Sequence, residues 1–273
     1  MPVPKLSPDL DGVPETMLWP LYHRATEARR PDGILHDPDS IRIMDALDYD
    51  FPGHFGIPGG SLAMRAAEID RILVQWLEDH PDGLVVSLGE GLESQSRRVD
   101  NGRMRWLSVD LPQSIALRER FLPPTDRFRH LAMSALDPAW IDQADTTRPV
   151  LVVAQGLFMY LEPQAIELLL RAMATRMPGA GLVFDTVPVW LSRLTLFGLY
   201  WTPGYRLPRM PWGIGRSAIE PTLRRWCSGL GRIQIHPYAP PRGRPAVLHP
   251  FAAATFLLRD QLPTLVTTQF GEA

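Results

Sequence analysis

Residues 84–98 read LVVSLGEGLESQSRR, an apolar run that enters a glycine–x–glycine turn at Gly89, Glu90 and Gly91. Turns of this kind, between a strand and a helix, usually cradle phosphate, because bare backbone N–H groups and a helix N-terminus attract anions. This one carries carboxylates instead, Glu90 between the glycines and Glu93 just after them. A third, Asp110, ends the next β-rich run, RMRWLSVD, nineteen residues after Gly91. That spacing suits an acidic side chain accepting hydrogen bonds from ribose hydroxyls. The plainer role for Asp110 is to cap the helix that begins at LPQS.

A pyrophosphate beside Glu90 would meet like charge in a partly desolvated site. A nucleoside bearing positive charge would not. S-adenosylmethionine fits that description: it has adenine, ribose, a sulfonium and an ammonium, and no phosphate. The residues therefore point from a dinucleotide towards S-adenosylmethionine, with solvated helix-start acids as the alternative for Glu90 and Glu93.

The elements that must position these residues follow from periodicity. Short β-rich runs at 84–88, 105–109, 128–133, 149–154 and 181–187 alternate with helical segments at 93–99, 112–121 and 163–177. Such alternation predicts an α/β fold, a Rossmann-like, doubly wound, mostly parallel sheet, whose ligands bind beyond the carboxyl ends of the central strands. A further helix is expected near 218–228, with β candidates at 231–236 and 252–259. Upstream, 14–30 reads as a helical segment disturbed by Pro20, HDPDSIRIMDAL starts another, and Ser61 opens a long amphipathic helix with Leu62, Ile69, Leu73, Trp76 and Leu77 at helical spacing. Residues 1–12 are expected to fray. The division expected is a helical N-terminal cap over residues 1–80 and a Rossmann-like domain over 81–273, with an aromatic, proline-rich insertion at about 188–216.

Bulk properties narrow the partners. A net charge of −2 gives no global attraction to nucleic acid or anionic lipid. No apolar run reaches spanning length, residues 1–12 lack a signal-peptide pattern, and the single cysteine, Cys227, fits a reducing cytoplasm. The expected partner is a small molecule, with neither nucleic acid nor membrane, and no histidine spacing supports a metal site.

Taken together, SLGEGLESQSRR, RWLSVDLPQSIALRERFLPP, HLAMSALDPAWID and LVVAQGLFMYLEPQAI resemble, in order and spacing, the leucine carboxyl methyltransferase family. The upstream stretches RRPDGILHDP and SLAMRAAEID resemble its bacterial branch of polyketide O-methyltransferases. The resemblance covers roughly residues 15–190 and implies a class I S-adenosylmethionine-dependent methyltransferase fold with a helical cap. It implies Gly89, Glu90 and Gly91 near the methionine part of the cofactor, and Asp110 and Leu111 at its ribose. Ser134 and Ala135 fall near adenine, Arg65 at the cofactor carboxylate, and Gln155 and Gly156 close by. Departures from the family pattern are Glu93, Ser94 and Gln95 where it has Asp-Thr-Arg, Ser134 where aspartate is frequent, and Gln155 where glutamate is usual.

The function expected is O-methylation of a hydroxyl or carboxylate on a hydrophobic, polyketide-like small molecule. A carboxylate acceptor is already ionised at pH 7, whereas a phenol benefits from a base. His23 and His36 are the candidate bases, and each has an ordinary structural role as the competing reading. Tyr160 could hydrogen-bond an acceptor or pack on the next helix. Trp190, Trp201 and Tyr205, within a run that also holds Trp212, could line an apolar acceptor pocket or form plain core. Alternatives are carboxyl methylation of a peptide or protein C-terminus, a non-methylating S-adenosylmethionine-binding protein of the same fold, and, more remotely, a dinucleotide oxidoreductase.

Overall fold

A computed structural model describes residues 5–237 and 259–271. Five helices precede the first strand: α1 (Gly12–Glu15), α2 (Leu18–Ala28), α3 (Pro38–Ala46), α4 (Phe51–Phe55) and α5 (Ser61–Asp79). Pro20 falls in the first turn of α2 and does not break it, because an N–H there has no intrahelical acceptor. The interruption comes earlier, between α1 and α2. Asp37 caps α3 by accepting from the Ser40 N–H at 3.0 Å, and Asp50 caps α4 by accepting from Gly53 N–H at 3.0 Å. The expected fraying of residues 1–12 is corrected at Leu6, which exchanges backbone hydrogen bonds of 2.9 Å with Ala46 and Asp48.

The strands are β1 (Leu84–Leu88), β2 (Arg105–Asp110), β3 (Phe128–Ala132), β4 (Val150–Ala154), β5 (Gly181–Thr186), β6 (Tyr200–Thr202), β7 (Tyr205–Arg206), β8 (Gln234–Pro237) and β9 (Thr264–Gln269). Between them lie α6 (Gln95–Arg98), α7 (Pro112–Glu119), α8 (Pro163–Arg176), α9 (Val189–Leu196) and α10 (Arg216–Trp226). The main sheet has seven strands in the order β3-β2-β1-β4-β5-β9-β8. β1 to β5 run parallel, while β9 is antiparallel to both its neighbours. The expected mostly parallel, doubly wound sheet is what forms. β9, which lies between β5 and the edge strand β8, was not among the expected strands, and the candidate at 252–259 lies almost wholly outside the described residues. The 188–216 segment folds as α9 followed by the β6–β7 hairpin.

β1 and β4 are each buried at every position, so their near-continuous Val and Leu runs serve both faces. On one face α5 presses Ile69, Leu73 and Leu77 onto Val85, Trp106, Leu151 and Val153. On the other, α8 and α10 contribute Ile166, Leu170, Ile219 and Leu223 around Trp140, Phe158 and Phe184. A separate cluster joins Leu18, Leu21, Ile43 and Phe55 of the first helices to Leu92, Leu117 and Leu122 beside the sheet. Leu73 is fully buried under the sheet. Leu73→Ala is expected to lower unfolding free energy by about 2–5 kcal/mol, read as a lower urea midpoint at unchanged slope.

Candidate functional site

The strand order reverses at β1, whose neighbours are β2 and β4, so the turn after β1 lies at the switch point of the sheet. Gly89 and Gly91 adopt φ of +63° and +54°, in the left-handed region that disfavours a Cβ. Space is short as well: a Cβ on Gly91 would stand 2.7 Å from Met17 of the first helices. Asp110, at the end of β2, holds the turn by accepting from the Gly91 N–H at 2.7 Å and from the Leu111 N–H at 2.7 Å. Among the described residues no cation pairs with it. Burial pushes its carboxyl up, and the two amides, Ser114 and the more distant Arg118 counter only part of that.

The loop carboxylates have a different fate from the one expected. Glu90 Oε1 pairs with Arg118 at 2.8 Å and its Oε2 accepts from Trp106 Nε1 at 3.1 Å. Its side chain is fully buried, and desolvation pushes its carboxyl up despite Arg118. Glu93 lies 2.7 Å from Arg24 of α2 and 2.7 Å from Arg98 of α6. Arg24 and Arg98 also pair with Asp37, and Arg98 with Asp70. Burial works against ionisation of Asp37 and Glu93, yet the two guanidinium groups outweigh it and hold both carboxyls below their ordinary range. Glu90 and Glu93 still border the cavity, but as ion-paired rather than free carboxylates. Their charge is taken up by buried arginines, whereas Asp110, at the end of β2, has no direct ion pair among the described residues.

A cavity of about 1020 Å³ opens from this loop. Gly89, Glu90, Gly91, Asp110 and Leu111 border one end. Arg65, Ser134, Ala135, Gln155 and Gly156 border it too, so the structure gathers every residue that the resemblance pointed to. His23, Tyr160, Trp190 and Trp201 belong to the same lining, together with Trp19, Phe55 and Ile57. Tyr205 does not: its ring packs into the aromatic cluster, 4.9 Å from Phe55, because β7 turns it under α4 rather than towards the cavity. Trp212 is core, beside Phe158 and Phe184. His36 lies outside the lining.

Sequence reasoning missed Asp185 and Arg24. Asp185, near the end of β5, accepts from Arg65 Nη1 at 2.8 Å and from Gly156 N–H at 2.5 Å, which positions both. A carboxylate ending an otherwise apolar strand was the available signal. Arg24 gave none, since nothing in a helical segment announces a partner dozens of residues away. Gln155 Nε2 donates to Glu93 Oε2 at 3.2 Å, which orients the amide and leaves Oε1 buried without a partner among the described residues. The loop end of the cavity thus offers hydrogen-bond acceptors, Asp110 and Gln155 Oε1. Hydroxyl and ammonium hydrogens suit such a set, and phosphate does not.

The comparisons with known proteins agree with that chemistry. The leucine carboxyl methyltransferase profile matches residues 18–174. The chain belongs to this family. It is 34% identical over 191 residues to the tetracenomycin polyketide synthesis O-methyltransferase TcmP of Streptomyces glaucescens, covering 69% of this chain and 71% of that protein. It is 28% identical over 191 residues to the S-adenosyl-L-methionine-dependent methyltransferase dpfgK of Gibberella zeae, covering 63% of this chain and 64% of that one. Among solved structures the carbon methyltransferase CurJ superposes with a TM-score of 0.52 at 11% identity, over 94% of this chain and 67% of that chain, a likeness of fold. This leucine carboxyl methyltransferase family member is an S-adenosylmethionine-dependent methyltransferase with the class I fold. No helix among the described residues is long and apolar enough to cross a membrane.

The ion cluster yields a pH-dependent prediction. Asp37 and Glu93 titrate lower in the folded chain than in the unfolded one, so their contribution is complete above the ordinary carboxylate range and disappears as pH falls through their folded values. Arg98→Met leaves buried carboxylates without their partner and is expected to cost about 3–5 kcal/mol at neutral pH. In urea melts the difference from wild type should shrink below about pH 4, where the unfolded carboxylates also take up protons.

Proposed function

We propose that the protein transfers a methyl group from S-adenosylmethionine to an oxygen, hydroxyl or carboxylate, of a hydrophobic, polyketide-like small molecule. The observation that carries this reading is the continuity of the cavity. One space joins the acceptor-rich glycine-loop end to an apolar aromatic wall formed by Trp19, Phe55, Trp190 and Trp201. Mostly apolar lining with a few fixed polar groups is what a small hydrophobic ligand needs. The O-methyltransferase TcmP, similar over most of the chain, supports oxygen as the nucleophile.

In this reading Gly89 and Gly91 let the cofactor approach the backbone, Asp110 and Leu111 meet the ribose, Ser134 and Ala135 flank adenine, and Gln155 Oε1 accepts from the ammonium. Arg65, fixed by Asp185, faces the carboxylate end, with Gly156 beside it. Bound there, the cofactor supplies an electrophilic methyl carbon. The chain's part is to hold the acceptor oxygen near that carbon and keep water out, since positioning in a dry pocket can supply much of the acceleration. Tyr160 borders the same space, and burial pushes its phenol up to about 12, which keeps it a neutral hydrogen-bonding group. The helices before residue 80 act as a cap over the acceptor end. A single, buried Cys227 suits a reducing cytoplasmic setting.

Calorimetry with S-adenosylhomocysteine should show one-site binding to wild type. Asp110→Ala should weaken it by about tenfold to a hundredfold, the value of a hydrogen bond to a charged group. Unchanged affinity in that variant, or none in wild type, would overturn the reading. With methyl-labelled cofactor, label should appear in an apolar acceptor as an ether or ester, the ester alone being released by mild alkali.

A further inference from the structure

His23 was a candidate base, and the geometry gives it another role. It sits in α2, is 6% exposed, and borders the cavity. Trp19, one turn earlier on the same helix, donates its Nε1–H to His23 Nε2 at 3.1 Å. An indole nitrogen is a donor only, so Nε2 must be the acceptor and the imidazole proton must reside on Nδ1. Nδ1 is buried and has no partner among the described residues. A neutral imidazole held in this way has an N–H to give and no free lone pair with which to take a proton.

The surroundings favour the neutral ring. Burial, then Arg65, then Arg24 lower the imidazole to about 3. The other rings against it, Trp19 and Tyr22, meet it edge-on and carry no charge. Leaving a buried donor unsatisfied costs free energy that a bound oxygen would recover. Arg65, held by Asp185, and His23 border the same cavity, so a guanidinium and an imidazole N–H belong to one lining. An unpartnered N–H beside a guanidinium-bearing lining suits an oxygen acceptor carrying negative charge.

We propose that His23 is a tautomer-locked hydrogen-bond donor, its Nδ1–H held towards an anionic oxygen of a bound ligand beside Arg65 by the Trp19 bond, and not a general base. This rests on the functional reading above. Two sources can supply the oxygen, the cofactor's own carboxylate or the acceptor, and both present the same chemistry to Nδ1–H. The transfer balances without His23 as a proton carrier. A lone pair of the acceptor oxygen forms the O–C bond while the C–S bonding pair returns to sulfur. An oxygen that reacts as the anion has already lost its proton to water.

The first test needs no turnover. In ¹⁵N-histidine spectra of wild type, His23 should show a protonated Nδ1 and an unprotonated Nε2, with no titration between pH 5 and pH 9. In Trp19→Phe, which keeps a ring beside Phe55 but removes the indole N–H, that single tautomer should give way to a mixture. A protonated Nε2 in wild type, or titration near neutrality, would overturn the proposal.

The second test compares His23→Leu with His23→Asn, whose amide places a donor close to the Nδ1 position. His23→Leu should weaken one ligand by about tenfold or more, as expected for a hydrogen bond to a charged group, and His23→Asn should restore most of it. A rise in the dissociation constant for S-adenosylhomocysteine assigns the oxygen to the cofactor. A rise in the acceptor KM alone assigns it to the acceptor. Equal damage in both variants, or none in either, would overturn the proposal. Should wild type bind no S-adenosylhomocysteine, the functional reading falls, while the spectra still decide whether His23 is locked as a donor.

Discussion

The buried pairing of Arg24 and Arg98 with Glu93 and Asp37 holds the site together. Arg24 comes from α2, Asp37 caps α3, Glu93 lies in the turn after β1, and Arg98 ends α6. Arg24 also donates from Nη2 to the Leu92 carbonyl at 2.8 Å, and Ser94 Oγ donates to Asp37 at 2.7 Å. The glycine turn is therefore shaped by the first helices as much as by the strand it follows. Ion pairs this deep are costly to desolvate and repay it only when hydrogen bonds are nearly complete. Here Asp37 accepts from Arg24, Arg98, Ser94 and Ser40 together.

This arrangement gives the departures from the family loop a physical sense. Glu93, one methylene longer than aspartate, reaches the guanidinium groups of both Arg24 and Arg98. Ser94 keeps the hydroxyl that Asp37 requires. Gln95 donates to Asp70 at 2.7 Å, in a cluster where Asp37, Asp70 and Glu93 already outnumber the two arginines, so a neutral donor relieves acid without another charge. Gln155 does the same for Glu93. Glu93, Ser94, Gln95 and Gln155 thus form one connected set, from which the fifth departure, Ser134, stands apart.

The sheet was legible because its strands are apolar runs between glycine and proline punctuation, and β1 to β5 start and stop within a residue or two of their expected limits. β9 escaped because TLVTTQ, after Pro263, has only Leu265 and Val266 among polar residues and gives no strong apolar signal, and its place next to β5 depends on long-range pairing. The glycine loop, Asp110, Gln155 and Arg65 were legible through local pattern and resemblance. The partners of the loop acids were not. Charge in a sequence is a count, whereas ionic compensation is a matter of where side chains 57 or 62 residues apart come to lie, as with Asp37 against Ser94 and Glu93 against Gln155. The role of His23 was hidden for the same reason: its tautomer is set by one bond from Trp19.

The contact between Arg24 and the Leu92 carbonyl also ties the first helices to the turn beneath them. A cap bolted to the turn beneath it cannot swing away as an independent lid without disturbing that turn. Elsewhere in the lining Ile57, Trp190 and Trp201 remain open to solvent. The solvent-exposed part of the lining is thus separate from the buried ion pairs that fix the glycine turn.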